Sequence, residues 1–412
     1  VTDTLGLNVT TGVSTFAGDI SANGNIVGDD STNISGINSV TATEYYGTGA
    51  IGSKLFARDA QNNLIAGFRS GIAITTGEVT AQRNVLIGYD AGRRMCCGCH
   101  NVLIGDNVLN RIHRGRYNVM LGVSVGAALT QGATVTSNVF IGRCVAISQQ
   151  ANVTNSIAIG NGAAKNGTSN SSIIMGPNAG IGVLGQTHSQ NIFLGTNAGT
   201  SISTGNSNIA LGNGAGRCLC QGDLNIYLGQ NAGKCNFRGD CNIALGSQAL
   251  YGANTGQMVA GRAHANIALG VNAGYSLSTG DQNFLVGTSA GYGLVAGSYN
   301  VAIGNGALQC ATTPSYNIAI SQNAAKNVTT GVHNLAFGFC ALFCTTTGGC
   351  NFAFGNRSLN QMTTGCFNVS IGGCAGQDMT DGCRNIFLGD QAACCFISGS
   401  CNIAIGCRIC VP

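Results

Sequence analysis

The stretch Asn208-Ile209-Ala210-Leu211-Gly212 decides the fold, because the same five-residue phrase returns along most of the chain. Repetition at a fixed period is the sequence signature of stacked architectures. Thirteen of the eighteen intervals between copies are 17 residues long, and the others are 16, 18, 19, 20 and 24. The nineteen copies begin at Asn84, Asn101, Asn118, Asn138, Ser156, Ser172, Asn191, Asn208, Asn225, Asn242, Asn266, Asn283, Asn300, Asn317, Asn334, Asn351, Asn368, Asn385 and Asn402.

The repeated unit is predicted to be one coil of a β-solenoid. Apolar residues at the second and fourth positions flank a third residue, and this period of two is typical of a strand. Gly at the fifth position, replaced only at Ser321, predicts a corner that leads into a second, thinner strand. A second Gly near the fifteenth position predicts the opposite corner. The opening Asn side chains are expected to stack and to hydrogen-bond along the axis. With strands about 4.8 Å apart, the coils make a rod of roughly 90 Å.

The third position of the phrase is expected to point away from the interior of the coil, yet it is apolar in almost every copy. A strand that is apolar on both faces is covered on both faces. We therefore expect copies of this chain to cover the outer face in a homotrimer around a shared axis. The alternative is a monomer with scattered surface alanines. The residues concerned are Ala158, Ala210, Ala244, Ala268, Ala302, Ala319, Ala336, Ala353, Ala404, Leu86, Leu103, Met120, Phe140, Phe193, Tyr227 and Phe387.

Composition excludes several classes of protein. The 412 residues include 64 Gly and no Trp, and only 8% are charged, so a large aromatic core is not available. A net charge of +4 is too small to indicate nucleic acid as a partner. No run of eighteen apolar residues predicts insertion into a membrane. The chain begins at Val1 without a signal peptide, which suggests a processed or partial product.

Three segments are predicted. Residues 1–50 contain short alternating pieces separated by Gly, Ser and Asn and are predicted to form a β-rich shaft segment. Within it, Asp29-Asp30-Ser31-Thr32-Asn33 offers oxygen ligands but lacks the full calcium-loop pattern, so a turn is favoured. Residues 51–83 are assigned to an adaptor, and residues 84–412 to the solenoid.

The repeat phrase resembles that of tail-fibre and other virion structural proteins of marine cyanobacterial phages, as in Asn191 to Gly205 or Asn266 to Gly280. The segments Gly12 to Ser21 and Ala42 to Gly49 resemble shaft segments of the same proteins. The phrase is also similar, within a longer coil, to the Ser-Val-Ala-Ile-Gly phrase in the heads of trimeric autotransporter adhesins. The resemblance implies a trimeric left-handed β-roll in an extracellular or virion fibre, often followed by a chaperone domain that cleaves itself off.

Twenty cysteines depart from the adhesin pattern and recur at particular coil positions. In three coils, two cysteines six residues apart straddle the second Gly corner, which predicts disulfide staples within a coil. The predicted pairs are Cys235 with Cys241, Cys344 with Cys350, and Cys395 with Cys401.

Two other readings of the cysteines stay open. Zinc is one, at Cys96-Cys97-Gly98-Cys99-His100 and Cys218-Leu219-Cys220, although neither shows paired Cys-x-x-Cys knuckles. Buried free thiols are the other, above all at the seventh coil position, which holds Cys144, Cys340 and Cys374. If the bridges form, the compartment is oxidising.

The sequence offers no catalytic constellation, so we expect neither an enzyme nor a cofactor. A polysaccharide-cleaving fibre would need two carboxylates facing one groove, and no such pair stands out. Arg238-Gly239-Asp240 spells an integrin tripeptide but follows from the repeat, since Gly-Asp recurs at the same coil position in Gly222-Asp223 and Gly280-Asp281.

Binding is expected where the repeat breaks. The interval of 24 residues predicts an extruded loop, and insertions in solenoids often bind partners. Its candidate receptor-binding residues are Tyr251, Asn254, Gln257, Met258, Arg262 and His264. A basic patch is the second candidate, for anionic host glycan or another virion protein, although a solvated face is the simpler reading. It comprises Arg93, Arg94, Arg111, His113, Arg114 and Arg116.

These features together predict a structural virion fibre, a trimeric phage tail fibre that serves attachment to a host surface glycan or protein. A filament without host recognition, or a bacterial cell-surface adhesin fibre, is the alternative. An ice-binding solenoid is disfavoured, because it needs a regular Thr row along one flat face and Thr appears only patchily along the chain.

Overall fold

The computed structural model describes residues 57–58, 61–76, 80–127, 129, 134–147, 152–236, 238–252 and 262–409. The predicted shaft segment, residues 1–50, lies outside them, and so does the possible calcium turn at Asp29. Within the described residues the chain is a stack of β-coils, and the helix found there is the single turn Ile72–Thr76. The predicted β-solenoid is confirmed.

One sheet runs along the stack and takes a parallel strand from each coil. Each strand pairs with the next at the same repeat position, so that Ala210 lies opposite Tyr227 and Tyr227 opposite Ala244. The short strand Ala57–Arg58 pairs antiparallel with the first of them. The parallel strands are Leu64–Ala66, Val85–Ile87, Val102–Ile104, Val119–Val123, Val139–Arg143, Ile157–Ile159, Ile173–Met175, Ile192–Leu194, Ile209–Leu211, Ile226–Leu228, Ile243–Leu245, Ile267–Leu269, Phe284–Val286, Val301–Ile303, Ile318–Ile320, Leu335–Phe337, Phe352–Phe354, Val369–Ile371, Ile386–Leu388 and Ile403–Ile405.

The stack contains a coil that the repeat count missed. Asn63 is fully buried, and its Oδ1 accepts hydrogen bonds from the backbone N–H and the Nδ2 of Asn84. The following strand, Leu64–Ala66, pairs in parallel with Val85–Ile87. The solenoid therefore extends into the segment that the sequence assigned to an adaptor, with an interval of 21 residues to the next coil.

The third position of the phrase faces inward, which corrects the predicted orientation. Ala210, Ala302 and Phe193 are 0% exposed within a single chain, and all the third-position residues named above are buried in the same way. The second and fourth positions face outward instead and are half-exposed in most coils, as at Ile209 and Leu211. Alternation separates two faces but does not say which one is inside. Here the inward position is alanine in many coils, so the smaller residues of the strand face the interior and the larger ones face outward.

Large interior residues are accommodated by glycine in the facing turn. A Cβ built on Gly233 would lie 2.5 Å from the Tyr227 ring, and one built on Gly199 would lie 2.5 Å from the Phe193 ring. Where the third residue is alanine, as at Ala302, the facing turn carries a buried leucine, Leu308. Where both residues are small, as at Ala210 and Gly216, the Tyr227 ring of the next coil lies 3.2 Å from a Cβ built on the glycine. Neighbouring coils therefore fill the interior together, as close-packed protein cores require.

The opening asparagines form the predicted ladder along the axis. The backbone N–H and the Nδ2 of Asn225 both donate to Asn208 Oδ1 at 3.0 Å. Asn225 Nδ2 also donates to the carbonyl of Gly239, at the closing corner of the same coil, at 2.8 Å. Asn242 makes the same contacts to Asn225 at 2.9 and 3.0 Å. Each amide thus closes its own coil and joins it to the previous one.

The ladder is weakened where serine replaces asparagine in two successive coils. The backbone N–H of Ser172 lies 3.4 Å from Ser156 Oγ, and a hydroxyl offers no second donor. The hydroxyl of Ser156 donates to the carbonyl of Ser169 at 2.8 Å, so that coil is still closed.

The side of the coil after the Gly corner is a stack of turns, whereas a second strand was predicted there. Gly229, Asn231 and Gly233 have φ of 135°, 56° and 60°, and such alternation of left-handed residues does not make a strand. The turns still bond between coils, since Gly233 N–H donates to the Ala249 carbonyl at 2.9 Å. Short second strands occur just before the opening residue in the irregular coils, at Gly115–Arg116, Val135–Thr136, Val153–Thr154, Thr168–Asn170 and Thr187–Ser189.

Replacing Ser321 by glycine is expected to stabilise the protein by about 1 kcal/mol, because Ser321 is the one side chain at a column of glycines. Its φ is 114°, and the next coil is held less closely. The Gly338 N–H lies 3.1 Å from the Ile320 carbonyl, against 2.8 Å from Gly355 N to Phe337 O. Urea unfolding measures the gain.

The matched control is Ser247→Gly, which removes the same atoms where φ is not positive and should destabilise slightly. Equal effects of the two substitutions would contradict strain at Ser321.

Candidate functional site

The outward face of the long sheet is an uninterrupted apolar stripe. Both flanking positions of the strand are Ile, Val, Leu, Phe or Met in all nineteen copies of the phrase, from Val85 to Ile405. Most of these side chains are half-exposed, and Phe354 and Met175 reach 52% and 40%. Together they present on the order of 1,000 Å² of apolar surface, where contiguous patches above a few hundred Å² mark interaction sites. Sequence reasoning found the stripe but assigned it to the wrong residues.

The predicted receptor loop is only partly described. Asn254, Gln257 and Met258 lie outside the described residues, while Tyr251, Arg262 and His264 border the loop. Tyr251 is only 9% exposed, its hydroxyl accepts a hydrogen bond from Lys234 Nζ at 2.9 Å, and its ring stacks on Tyr275 at 4.8 Å. Tyr251 is therefore a packed member of the coil surface.

His264 belongs to a second polar ladder that sequence reasoning missed. Asp223 N–H donates to Asp240 Oδ1 at 2.8 Å, and Asp240 N–H donates to His264 Nδ1 at 3.1 Å. His264 N–H in turn donates to Asp281 Oδ1 at 2.8 Å. These residues hold the coil position two before the opening residue, so their regular spacing was the available signal. The aspartate of Arg238-Gly239-Asp240 is thus occupied by coil-to-coil contacts.

The basic patch is spread over the turns of two consecutive coils. Arg94, Arg111, Arg114 and Arg116 are exposed, and Arg93 Nη1 lies 3.8 Å from Asp90 Oδ2. The carbonyl of His113 accepts hydrogen bonds from the N–H groups of Cys96 and Cys97. The four exposed arginines form a solvated basic surface without a defined cleft.

An exposed aromatic column was also missed. Tyr299 stacks on Tyr316 with ring centroids 4.9 Å apart, and Tyr316 stacks on His333 at 5.0 Å. The three residues are spaced by 17, which was the signal in the sequence. Because their rings stack on each other, the inner faces are covered and the edges meet solvent. This column therefore offers little ring face to a sugar.

His188 is buried inside the coil, with 1% of its surface exposed. Its Nδ1 lies 3.4 Å from Asn191 Nδ2, so the amide donates to Nδ1 and the ring proton lies on Nε2. Among the described residues Nε2 has no hydrogen-bond partner. Burial lowers the pKa of His188 to about 4. The neutral ring is therefore the folded form.

Acidification is expected to destabilise the protein through His188. Between the folded pKa of about 4 and the unfolded value near 6.5, the unfolded state binds the extra proton. Unfolding free energy therefore falls as pH falls through this window, by about 3 kcal/mol for this group. Urea unfolding of the wild type and of His188→Gln at pH 7 and pH 4 measures it. The variant should lose that part of the dependence, and equal slopes would contradict the assignment.

The cysteines carry free thiols throughout the described residues, including all six members of the predicted corner staples. Three close contacts between sulfur atoms join other pairs. Cys366 and Cys383 Sγ lie 3.2 Å apart, as do Cys96 and Cys97 Sγ, and Cys394 and Cys395 Sγ lie 3.5 Å apart.

The zinc reading finds no support in the geometry, and the seventh-position thiols are free but not buried. In the described part of the chain no three His, Cys, Asp or Glu side chains converge as metal ligands, and that includes Cys96, Cys97, Cys99 and His100. The seventh-position thiols Cys144, Cys340 and Cys374 are half-exposed and have left-handed φ of 53° to 55°.

Comparison with protein-family models, with curated proteins and with solved structures gave no match. The resemblance of the repeat phrase to phage fibre proteins therefore stays a prediction. None of the helices in the described residues has the length and apolar character needed to cross a bilayer.

Proposed function

We propose that this chain is a subunit of a homotrimeric structural fibre of a virion, a phage tail fibre that serves attachment to a host surface. The apolar stripe carries the proposal. It runs the full length of the stack, it faces outward, and no polar residue interrupts its two rows in the nineteen copies. A surface of this kind is stable only when it is covered.

A second and a third copy of the same chain are the covers that fit best. The stripe has the same repeat spacing in every copy, so identical stripes meet in register along a shared axis. A closed cyclic arrangement leaves no stripe bare, which an open arrangement would do. The interior of each coil is already filled, so the contact adds a dry seam between chains without rearranging the coil.

Extension and rigidity suit the architecture. Twenty parallel strands at about 4.8 Å give a rod of roughly 90 Å. The asparagine ladder bonds coil to coil along the stack, and the aspartate ladder, two residues before it in the chain, adds bonds between the coils from Asn206 to Asp281. Asp223, Asp240 and Asp281 accept backbone hydrogen bonds in that ladder, which gives these carboxylates a structural role. The virion and phage assignment depends on the resemblance of the repeat phrase.

Oligomeric state in solution tests the trimer. Sedimentation of the full chain should give about three times the mass of 41.6 kDa. The double variant Ile226→Asp and Leu228→Asp places charges on the stripe and should release monomers. The control Leu224→Asp changes a side chain that is 60% exposed and lies off the strand, and it should stay trimeric. A monomeric wild type would overturn the proposal.

Attachment is tested separately on the intact trimer. Whole-cell and glycan-array binding should be lost when residues 253–261 are replaced by a short Gly-Ser link, while the mass of the trimer is unchanged. A trimer that binds no cell or glycan would support the alternative, a filament without host recognition. Binding that survives the replacement would move the recognition site elsewhere, with the basic patch as the next candidate.

A further inference from the structure

Some cysteines lie directly above one another in consecutive coils. We propose that Cys366 with Cys383, and Cys218 with Cys235, form reversible disulfides that tie each coil to the next. Each pair is separated by 17 residues, one full turn of the solenoid. The bridges therefore run along the axis, in contrast to the staples within a coil that the sequence suggested.

Cys366 and Cys383 have the geometry that a bridge needs. Their Sγ atoms are 3.2 Å apart, and the two residues face each other in a parallel β-bridge. Parallel neighbours have Cα atoms about 4.8 Å apart, inside the 4.4 to 6.8 Å range of disulfides. The Cys366 N–H also donates to Cys383 Sγ at 3.3 Å, which orients the second sulfur towards the first residue. Formation of the bond needs only a small movement of two side chains.

Cys218 and Cys235 occupy the same turn position in adjacent coils. Cys218 N–H donates to the Lys234 carbonyl at 2.9 Å, and Cys235 N–H donates to the Tyr251 carbonyl at 2.7 Å, so both backbones follow the coil-to-coil spacing. The thiol of Cys235 is near enough to Cys218 to be the main cause of the lowered pKa of Cys218. The pair therefore meets across one coil spacing, as the first pair does.

The surroundings of this pair favour reaction at Cys218. The hydrogen bond from Cys235, together with the positive charges of Arg217 and Lys234, lowers the pKa of Cys218 to about 6. The same contact raises the pKa of the Cys235 thiol, so Cys235 keeps its proton. A thiolate with a pKa below its ordinary value is the attacking species in thiol–disulfide exchange.

A small-molecule disulfide such as oxidised glutathione is the oxidant. The Cys218 thiolate attacks one sulfur of that disulfide, forms a mixed disulfide and releases one glutathione thiolate, which takes up a proton. Cys235 loses its proton, attacks the Cys218 sulfur and displaces the second glutathione. Two protein thiols are thereby oxidised to one disulfide, and one oxidised glutathione is reduced to two glutathione thiols. The same exchange applies at Cys366 and Cys383.

Peptide mapping tests the bridge between Cys218 and Cys235 against the corner staple between Cys235 and Cys241. Trypsin cleaves after Arg217, Lys234 and Arg238, which places Cys218, Cys235 and Cys241 in three different peptides. After oxidation with glutathione disulfide and alkylation, peptide 218–234 should be linked to peptide 235–238. A link from 235–238 to 239–262 would instead show the corner staple and overturn the inference for this pair. Cys220 lies in the first peptide, so the mapping is repeated on Cys220→Ser.

The bridge between Cys366 and Cys383 is mapped by adding a protease that cleaves before aspartate. Cuts at Arg357, Asp378, Asp381 and Arg384 place Cys366 in peptide 358–377 and Cys383 in peptide 381–384. These two should be linked, and Cys374→Ser excludes the other cysteine in the first peptide. Each bridge also lowers the mass of the chain by about 2 Da.

Serine variants are expected to fold, because serine already occurs at both coil positions elsewhere in the chain. Ser298 and Ser315 hold the position of Cys366, while Ser201 and Ser276 hold that of Cys218. The oxidised wild type should melt at a higher temperature than the reduced protein, and Cys218→Ser with Cys366→Ser should abolish the difference. Thiols that all remain free after oxidation would overturn the inference.

Discussion

Replacing Gly229 by alanine is expected to lower the free energy of unfolding of its coil by about 3 kcal/mol or more. A Cβ on Gly229 would lie 2.5 Å from the carbonyl oxygen of Gly246 in the next coil and 2.7 Å from its carbon. Both atoms belong to the backbone, so no side chain can move aside. The φ of 135° is also one that side chains rarely adopt. The two coils must shift apart, which weakens the hydrogen bonds between them, as the lengthened contact of 3.1 Å beside Ser321 shows.

Amide hydrogen exchange measures this effect coil by coil, since stacked repeats open locally. Exchange should accelerate most at Gly246, whose N–H donates to the Leu228 carbonyl at 2.8 Å. The control is Gly115→Ala, where φ is not positive and the nearest atom is a leucine methyl at 3.1 Å. A loss for Gly229→Ala no larger than for this control would contradict the close approach of the corners.

Replacing Asn225 by alanine is expected to cost about 3 to 5 kcal/mol, because one side chain serves several buried groups. Its Oδ1 accepts the N–H and the Nδ2 of Asn242, and its Nδ2 binds Asn208 and Gly239. Alanine leaves the Asn242 N–H and the Gly239 carbonyl without these partners in the interior. Urea unfolding gives the loss, and amide exchange at Asn242 should accelerate.

Two control variants separate the ladder from simple loss of volume. Asn225→Ser keeps an acceptor, as Ser156 and Ser172 do, and should cost clearly less than alanine. Asn305→Ala removes the same atoms from an exposed position and should stay within about 0.5 kcal/mol of the wild type. If alanine and serine at position 225 cost the same, the ladder does not carry the stability assigned to it.

The stacked coil itself was predictable because its signals are local. The spacing of 17, the glycine at the corner and the opening asparagine each follow from backbone geometry within one repeat. The asparagine ladder followed as well, since identical residues one period apart must meet in a stack. The first coil was missed although Asn63-Leu64-Ile65-Ala66-Gly67 matches the phrase and its interval of 21 residues lies within the range of 16 to 24 found elsewhere.

The orientation of the strand was not predictable from the same pattern. Ile209 and Leu211 are larger than Ala210, which suggested that they fill the interior. The interior width depends on how the facing turn packs, and that turn was expected to be a strand. Gly233 and its counterparts take left-handed φ instead, and the interior then holds third-position residues as different in size as Ala210 and Tyr227.

The candidate sites were harder still. Tyr251 and His264 were chosen as residues beside an insertion, but both take part in columns that connect ordinary coils. The disulfide pairs were predicted within one coil, although residues at the same position of adjacent coils, which are 17 apart in the sequence, also lie close together. In each case the residue that makes the contact lies one repeat away in the sequence. The repeat had been used to predict the fold but not to predict which side chains meet in adjacent coils.

The two serines in the asparagine ladder set where the stack of coils would yield to mechanical load. A force that pulls the ends apart is borne in series by every junction between coils, so the weakest junction determines the strength of the whole. Between Ser156 and Ser172 the side-chain tie is reduced to one contact of 3.4 Å, whereas ordinary junctions have two near 3.0 Å. Tension would part the stack there first and leave a short and a long fragment intact on either side.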